Sequence, residues 1–192
     1  MNKLESEIHY APLPMPAAGE LQQVAKGVYW LRMPLPFALD HINLWLVEDT
    51  LDGREGFTAI DTGISNDETK ALWQQIAQSY FKGRPLLRVV STHMHPDHVG
   101  LAHWLCQGMP GPEGQAQFEW RPPLAMTLGE YATARLGSSR ALAEETRQAP
   151  DAQATSMAEH FRRHGMTSQD DYTKAQKRDG FYGRMVPSLP LN

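Results

Sequence analysis

Six residues, His93-Met94-His95-Pro96-Asp97-His98, hold three imidazoles and one carboxylate, the side chains that bind zinc and related divalent ions. The run before them, Leu86-Leu87-Arg88-Val89-Val90-Ser91, is short, rich in branched residues and entered through Gly83 and Pro85, which predicts a buried β-strand. The cluster then lies at a strand's C-terminal end, where α/β proteins place their sites. Side chains two apart on a strand share a face, so His93 and His95 can grip one ion while Met94 points away. Pro96 turns the chain out of the sheet, and Asp97 and His98 can face a second ion or a metal-bound water. One histidine, or a pair at this spacing, would be ordinary surface chemistry; four ligand-type side chains in six residues point to a metal site.

His-x-His-x-Asp-His after a strand resembles the first metal motif of the metallo-β-lactamase superfamily, whose members are mostly dinuclear zinc, iron or manganese hydrolases. Phe57-Thr58-Ala59-Ile60-Asp61-Thr62-Gly63 resembles that family's strand ending in Asp-Thr-Gly, and His41-Ile42-Asn43-Leu44-Trp45-Leu46-Val47 its preceding strand. The resemblance covers residues 24–108 and implies an αββα architecture, two sheets with helices outside. It further implies that His93 and His95 bind one ion, that Asp97 and His98 bind the other, and that Asp97 orients the nucleophile and passes a proton to the leaving group. Asp61 matches a carboxylate that supports the ligands, as imidazoles need a fixed tautomer; the alternative is a strand-end residue capping local backbone. The implied cofactor is zinc, two ions in the complete protein, with iron or manganese as alternatives. Zinc lowers the pKa of bound water from about 15.7 to about 7, so the implied chemistry is hydrolysis.

Other polar residues read as structural. Asn43 is expected to be buried near the sheet edge and to hold loops by hydrogen bonds, and His41 and His103 match no ligand position. His160 and His164 stand four apart on one helix face, a spacing able to bind an ion, but they lack the Glu of a His-Glu-x-x-His motif and read as surface.

The elements expected around the motif follow from pattern and punctuation. Residues 1–23, with Pro12, Pro14, Pro16 and Gly19, predict an extended, poorly ordered lead-in. Strands are expected at 27–33, 42–48 and 57–61, with a hairpin turn at Asp52-Gly53, giving a small antiparallel or mixed sheet. Ser65-Asn66-Asp67-Glu68 matches a capping box for a helix with Leu72, Ile76 and Tyr80 on its apolar stripe, ending at Gly83. A short helix is expected from Val99 to Cys106, and a brief strand around 123–126 completes an N-terminal half-domain at 24–128. Residues 129–192 read as a helical insert and end. A capping box at Thr127-Leu128-Gly129-Glu130 opens a helix towards Gln148 with a break at Gly137-Ser138-Ser139, and further helices are expected at 156–165 and 168–178. Narrow apolar stripes predict that this insert is largely solvated unless it lids a site or meets a partner.

The family's second half brings a third His in a Gly-His turn, a bridging Asp and a last His. After His98 the chain has only His103, His160 and His164, none in such a turn, and it stops at Val186-Pro187-Ser188-Leu189-Pro190-Leu191-Asn192. A truncated sequence with a missing or incomplete second sheet is expected. At 192 residues and 41% hydrophobic content there is enough chain for one cored domain. A net charge of −4 with interspersed signs supplies no basic field, which argues against nucleic acid without excluding a local patch. No apolar run spans a bilayer and no signal-type region follows Met1, so a soluble, cytoplasmic protein is expected; the single Cys106 fits a reducing compartment and should pack as a small apolar group. The leading expectation is a metal-dependent hydrolase acting on a small-molecule thioester or other ester. The alternatives are a nuclease-like phosphodiesterase and a non-catalytic metal-binding or interaction fragment.

Overall fold

The computed structural model describes residues 12–146, 159, 162, 163, 165, 167–171, 173, 182 and 185–190. Its centre is one six-stranded mixed sheet in the order β1-β2-β3-β4-β5-β6. The strands are β1 (Gln22–Ala25), β2 (Val28–Pro34), β3 (His41–Leu51), β4 (Arg54–Ile60), β5 (Leu86–Val90) and β6 (Leu124–Ala125). β1 to β4 run antiparallel, whereas β4, β5 and β6 are parallel neighbours. No second sheet occurs among the described residues.

The β3–β4 hairpin closes through Asp52 and Gly53, both at positive φ (52° and 76°), the mirror-image turn that matches strand twist. Parallel pairing of β4 with β5 needs a crossover, supplied by α1 (Asp67–Ile76) and a π-helical segment, Ala77–Phe81. The helix is capped one residue later than Ser65: Asn66 accepts from the Thr69 amide at 2.8 Å. Its buried face is Thr69, Trp73 and Ile76, then Ala77 and Phe81, with Leu72 and Tyr80 only partly buried. The apolar stripe is centred on Trp73 because its indole donates to the Thr62 carbonyl at 2.8 Å beneath the sheet end. The wider π turn then carries Phe81 onto Phe57, the rings stacked at 4.7 Å.

The core lies between α1 and one sheet face, where alternation on β2 and β3 buries Leu31, Met33, Ile42, Leu44 and Leu46. The opposite face carries Trp30, Asn43, Trp45, Ile60 and Val90, all partly or wholly exposed. Asn43 is therefore exposed, not buried, and its Oδ1 accepts from the Trp30 indole across the β2–β3 pair at 2.9 Å. That bond ties two strands, not loops.

After β5 come two short helices, α2 (Pro96–Val99) and α3 (Ala102–Cys106), in place of the single one expected. Gly100 joins them: a Cβ there would meet the Pro96 carbonyl at 2.4 Å and the Gly63 carbonyl and Ser65 amide nitrogen at 2.9 Å. Only glycine lets this corner sit against the turn after β4. The helix α4 (Leu128–Thr146) continues through Gly137-Ser138-Ser139 without a break. A Cβ at Gly137 would stand 2.6 Å from the Tyr182 ring, so this glycine makes room for a side chain rather than ending a helix.

The insert is also less solvated than its pattern implies. Met185, Val186 and Leu189 join the core cluster, and Tyr131 and Ser138 donate to the carbonyls of Pro190 and Val186, each at 2.7 Å. At the other end, the lead-in is tied down at Gly19, whose carbonyl accepts from Gln75 at 3.2 Å. His160 and His164 lie outside the described residues, and helical conformation in the last expected helix is described at 169–171 and 173. No helix among the described residues is long and apolar enough to cross a membrane.

Candidate metal centre

The residues after β4 and β5 form one hydrogen-bonded unit. Asp61, buried and itself in the left-handed region at φ 61°, receives the Thr92 amide at 2.8 Å and the Thr92 hydroxyl at 2.9–3.0 Å. Aspartate tolerates that conformation better than most residues, and strain of this kind collects at sites. Asp61 Oδ2, which also faces the Thr92 hydroxyl, lies 2.9 Å from His98 Nδ1. Thr62 adds a second tie. Its amide and hydroxyl both reach the His98 carbonyl at 2.8 Å, and its Oγ1 accepts from the Leu101 amide at 3.1 Å. The Asp61-Thr62 turn thus grips the start of the His loop and the end of α2.

β5 stops at Val90, so His93 and His95 stand on a bend, not on a strand, and strand alternation does not bring them together. They nevertheless converge, with His93 Nε2 3.0 Å from His95 Nδ1. His95 is the N-cap of α2 with Pro96 at its first position, which places Asp97 and His98 in the first turn. Asp97 Oδ2 lies 3.5 Å from His98 Nε2.

Hydrogen-bond partners assign the ring protons. The Thr92 hydroxyl gives its one proton to Asp61, so at 3.0 Å it accepts from His93 Nδ1 and leaves Nε2 as the acceptor atom. His98 Nδ1 donates to Asp61, leaving its Nε2 free to accept. Electrostatics differ between the two rings. Burial, followed by the charges of His98 and His95, pushes His93 below the ordinary histidine value. Burial would lower His98 too, but the Asp61 hydrogen bond and charge, with Asp97, hold it above that value.

Two donors sharing a tetrahedral ion at metal–ligand distances of about 2.0–2.1 Å stand about 3.3 Å apart. The His93/His95 pair at 3.0 Å and the Asp97/His98 pair at 3.5 Å bracket that separation. In donor chemistry and spacing the four residues fit two ions, two donors each. Among the described residues no group of three or more His, Cys, Asp or Glu is arranged to hold one ion.

The remaining sequence candidates take no part. His41 Nδ1 contacts Asp40 at 2.5 Å, and His103 keeps a buried Nδ1 without a partner, so it is neither satisfied nor exposed. Cys106 is buried, its thiol pushed up to about 12 by burial, in keeping with a small apolar group. Three contacts escaped the motif reading: Thr92, Glu130, whose carboxylate accepts from the Met94 amide at 2.7 Å, and Tyr182, whose hydroxyl donates to the Met94 carbonyl at 2.6 Å. Thr92 adjoins the motif and was open to notice. Nothing local marks the other two, and Glu130 reaches the loop instead of closing the expected capping box.

A mixed sheet whose parallel strand ends in a histidine and aspartate cluster backed by a buried carboxylate defines an α/β protein of hydrolase-like fold. Residues 38–124 match the model of the metallo-beta-lactamase superfamily, and the relatives that follow point to the same superfamily. The curated protein named "Probable metallo-hydrolase YqjP" from Bacillus subtilis (strain 168) is 36% identical over 77 residues, 40% of this chain and 23% of that protein. The crystal structure of a beta-lactamase domain protein from Burkholderia ambifaria is 42% identical with a TM-score of 0.76, covering 100% of this chain and 48% of that one. The chain therefore spans about a quarter of the curated relative's length and about half of the solved one.

Proposed function

We propose that this chain carries part of the dinuclear centre of a metal-dependent hydrolase, with His93 and His95 as donors to one ion and Asp97 and His98 to the other. The observation that supports it most is the pairing of metal-type donor atoms, His93 Nε2 with His95 Nδ1 and Asp97 Oδ2 with His98 Nε2, at separations suited to shared ions. Zinc is the metal of first choice for imidazole and carboxylate donors, with iron or manganese as alternatives. A bound ion of this kind supplies Lewis acidity and makes water nucleophilic near neutral pH. Asp61 holds the His98 ring in the tautomer that presents Nε2, and Thr92 does the same for His93. Asp97 is the group that orients the nucleophile and returns a proton to the leaving group. The substrate class is a small-molecule thioester or other ester, and the setting cytoplasmic, in keeping with the single unbonded Cys106.

The test is metal content by mass spectrometry, with turnover of thioester and phosphodiester model substrates before and after zinc loading. The expected result is bound metal lost in His93→Ala and in His98→Ala, with zinc-dependent thioester cleavage. Phosphodiester cleavage alone would move the reading to a nuclease-like member. A second reading draws on the two donors per ion among the described residues: a chain that binds metal without turnover. Stoichiometric zinc with no activity on either substrate class would favour it.

A further inference from the structure

We infer that Glu130 and Tyr182 are positioning residues for the His93/His95 pair, acting through the backbone of the residue between them. The inference rests on the reading of His93 and His95 as donors to one ion. The last ladder bond runs from the Ser91 amide to the Ala125 carbonyl of β6 at 2.9 Å, so the peptide groups of Thr92–His95 lie outside the sheet. Asp61 secures one end at Thr92, and α2 secures the other through bonds from His98 and Val99 to the His95 carbonyl. Between these ties stand His93, whose carbonyl accepts from the Ser91 hydroxyl at 3.1 Å, and Met94, both of whose backbone polar groups are taken by side chains from outside the loop.

The Met94 amide belongs to the peptide plane joining His93 to Met94, and it donates to Glu130 Oε2 at 2.7 Å. The Met94 carbonyl belongs to the plane joining Met94 to His95, and it accepts from the Tyr182 hydroxyl at 2.6 Å. Peptide planes are rigid, so fixing both sets the rotation at Met94 and hence the direction of the Cα–Cβ bonds of its two neighbours. The amide-to-carboxylate bond is short and charge-assisted, the stronger class of hydrogen bond. Burial, with the Glu130 charge adding to it, pushes the Tyr182 hydroxyl up to about 12, so it stays a proton donor through the neutral range.

Tyr182 is itself held. Gly137 leaves the space the Tyr182 ring fills, Val186 bonds back to the Tyr182 carbonyl at 2.8 Å, and Ser138 bonds the Val186 carbonyl. Glu130 and Tyr182 stand 36 and 88 positions from Met94, so the spacing of the histidine pair depends on the region after β6.

The experiment compares the full chain with Glu130→Ala, Glu130→Gln and Tyr182→Phe. Two quantities are read: exchange of the Met94 amide in the metal-free chain by NMR, and cobalt(II) binding by chelator competition with its visible absorption spectrum. Glu130→Ala is expected to speed Met94 exchange. Glu130→Ala and Tyr182→Phe should each weaken cobalt binding roughly tenfold and alter the spectrum, as loss of partners behind metal ligands does. Glu130→Gln, whose carbonyl still accepts from the amide, should recover most of the affinity. Tyr182→Phe removes one oxygen and keeps the ring, so a folding defect in Glu130→Ala does not decide the matter. Folded variants with wild-type affinity and spectrum overturn the inference alone. A wild-type chain that binds no cobalt although its Met94 amide is protected overturns the metal reading, and this inference with it.

Discussion

At the scale of single residues, Asp61 organises the site more than any of the presumptive ligands do. One buried carboxylate meets the amide and hydroxyl of Thr92 and the ring of His98. Asp61→Ala strands those donors and places alanine at positive φ, so a loss of about 2–4 kcal/mol is expected in urea unfolding. A change under 1 kcal/mol would show that Asp61 is dispensable to the fold. The two histidine shifts have opposite signs in the metal-free chain. His98, raised above its ordinary 6.5, stabilises the folded chain below that pH, and the contribution fades as pH rises through its folded value. His93, lowered, favours folding above its ordinary value, and that contribution is lost as pH falls through its folded value. NMR titration should therefore find His98 losing its proton at higher pH than His93, and Asp61→Asn should bring the two closer. Coincident midpoints would contradict the ion pair.

Between elements, close approach is the controlling variable. Gly100 lets the α2–α3 corner rest on backbone atoms of Gly63 and Ser65, and Gly100→Ala should cost about 1–3 kcal/mol because backbone cannot yield as a side chain does. Gly129→Ala serves as its control: a Cβ there meets nothing within 4 Å, so a gain of roughly 0.5–1 kcal/mol from lower unfolded-state entropy is expected. If both substitutions behave alike, contact at Gly100 is not the cause. Gly137→Ala pushes on the Tyr182 ring, and cobalt binding should weaken, as in Tyr182→Phe. The strands were readable because alternation and the Asp52-Gly53 turn are local signals. The helix stripe is buried at Ile76 as expected but shifts from Leu72 to Trp73 and from Tyr80 to Phe81, because the Trp73 bond to Thr62 and the π turn after Ile76 are tertiary choices.

For the whole molecule, one sheet face is packed under α1 while the other keeps Trp45 36% exposed in company with Trp30, Ile60 and Val90. That asymmetry accompanies a chain spanning 48% of its solved relative. A global probe of the packed side is Cys106, buried at the end of α3 with its thiol pushed up to about 12. Alkylation at pH 8 should be negligible in the native chain and should follow global unfolding as urea is added. Fast native alkylation would mean that α3 opens independently of the core.

The sequence by itself determined the resemblance to the superfamily, the strand-and-helix grammar of the sheet and the four residues bearing metal-type donors, because these depend on residue type and short spacing. It also singled out Asp61, whose carboxylate meets Thr92 and His98 in the fold. Tertiary structure alone decided which ring nitrogens face each other, that His93 and His95 meet on a bend, and that Glu130 and Tyr182 hold Met94 between them. The physical reason is range. Periodicity and capping act over a few residues, whereas the bonds that aim these rings join positions 31, 36 and 88 apart, brought together only when the sheet and the segment after it fold.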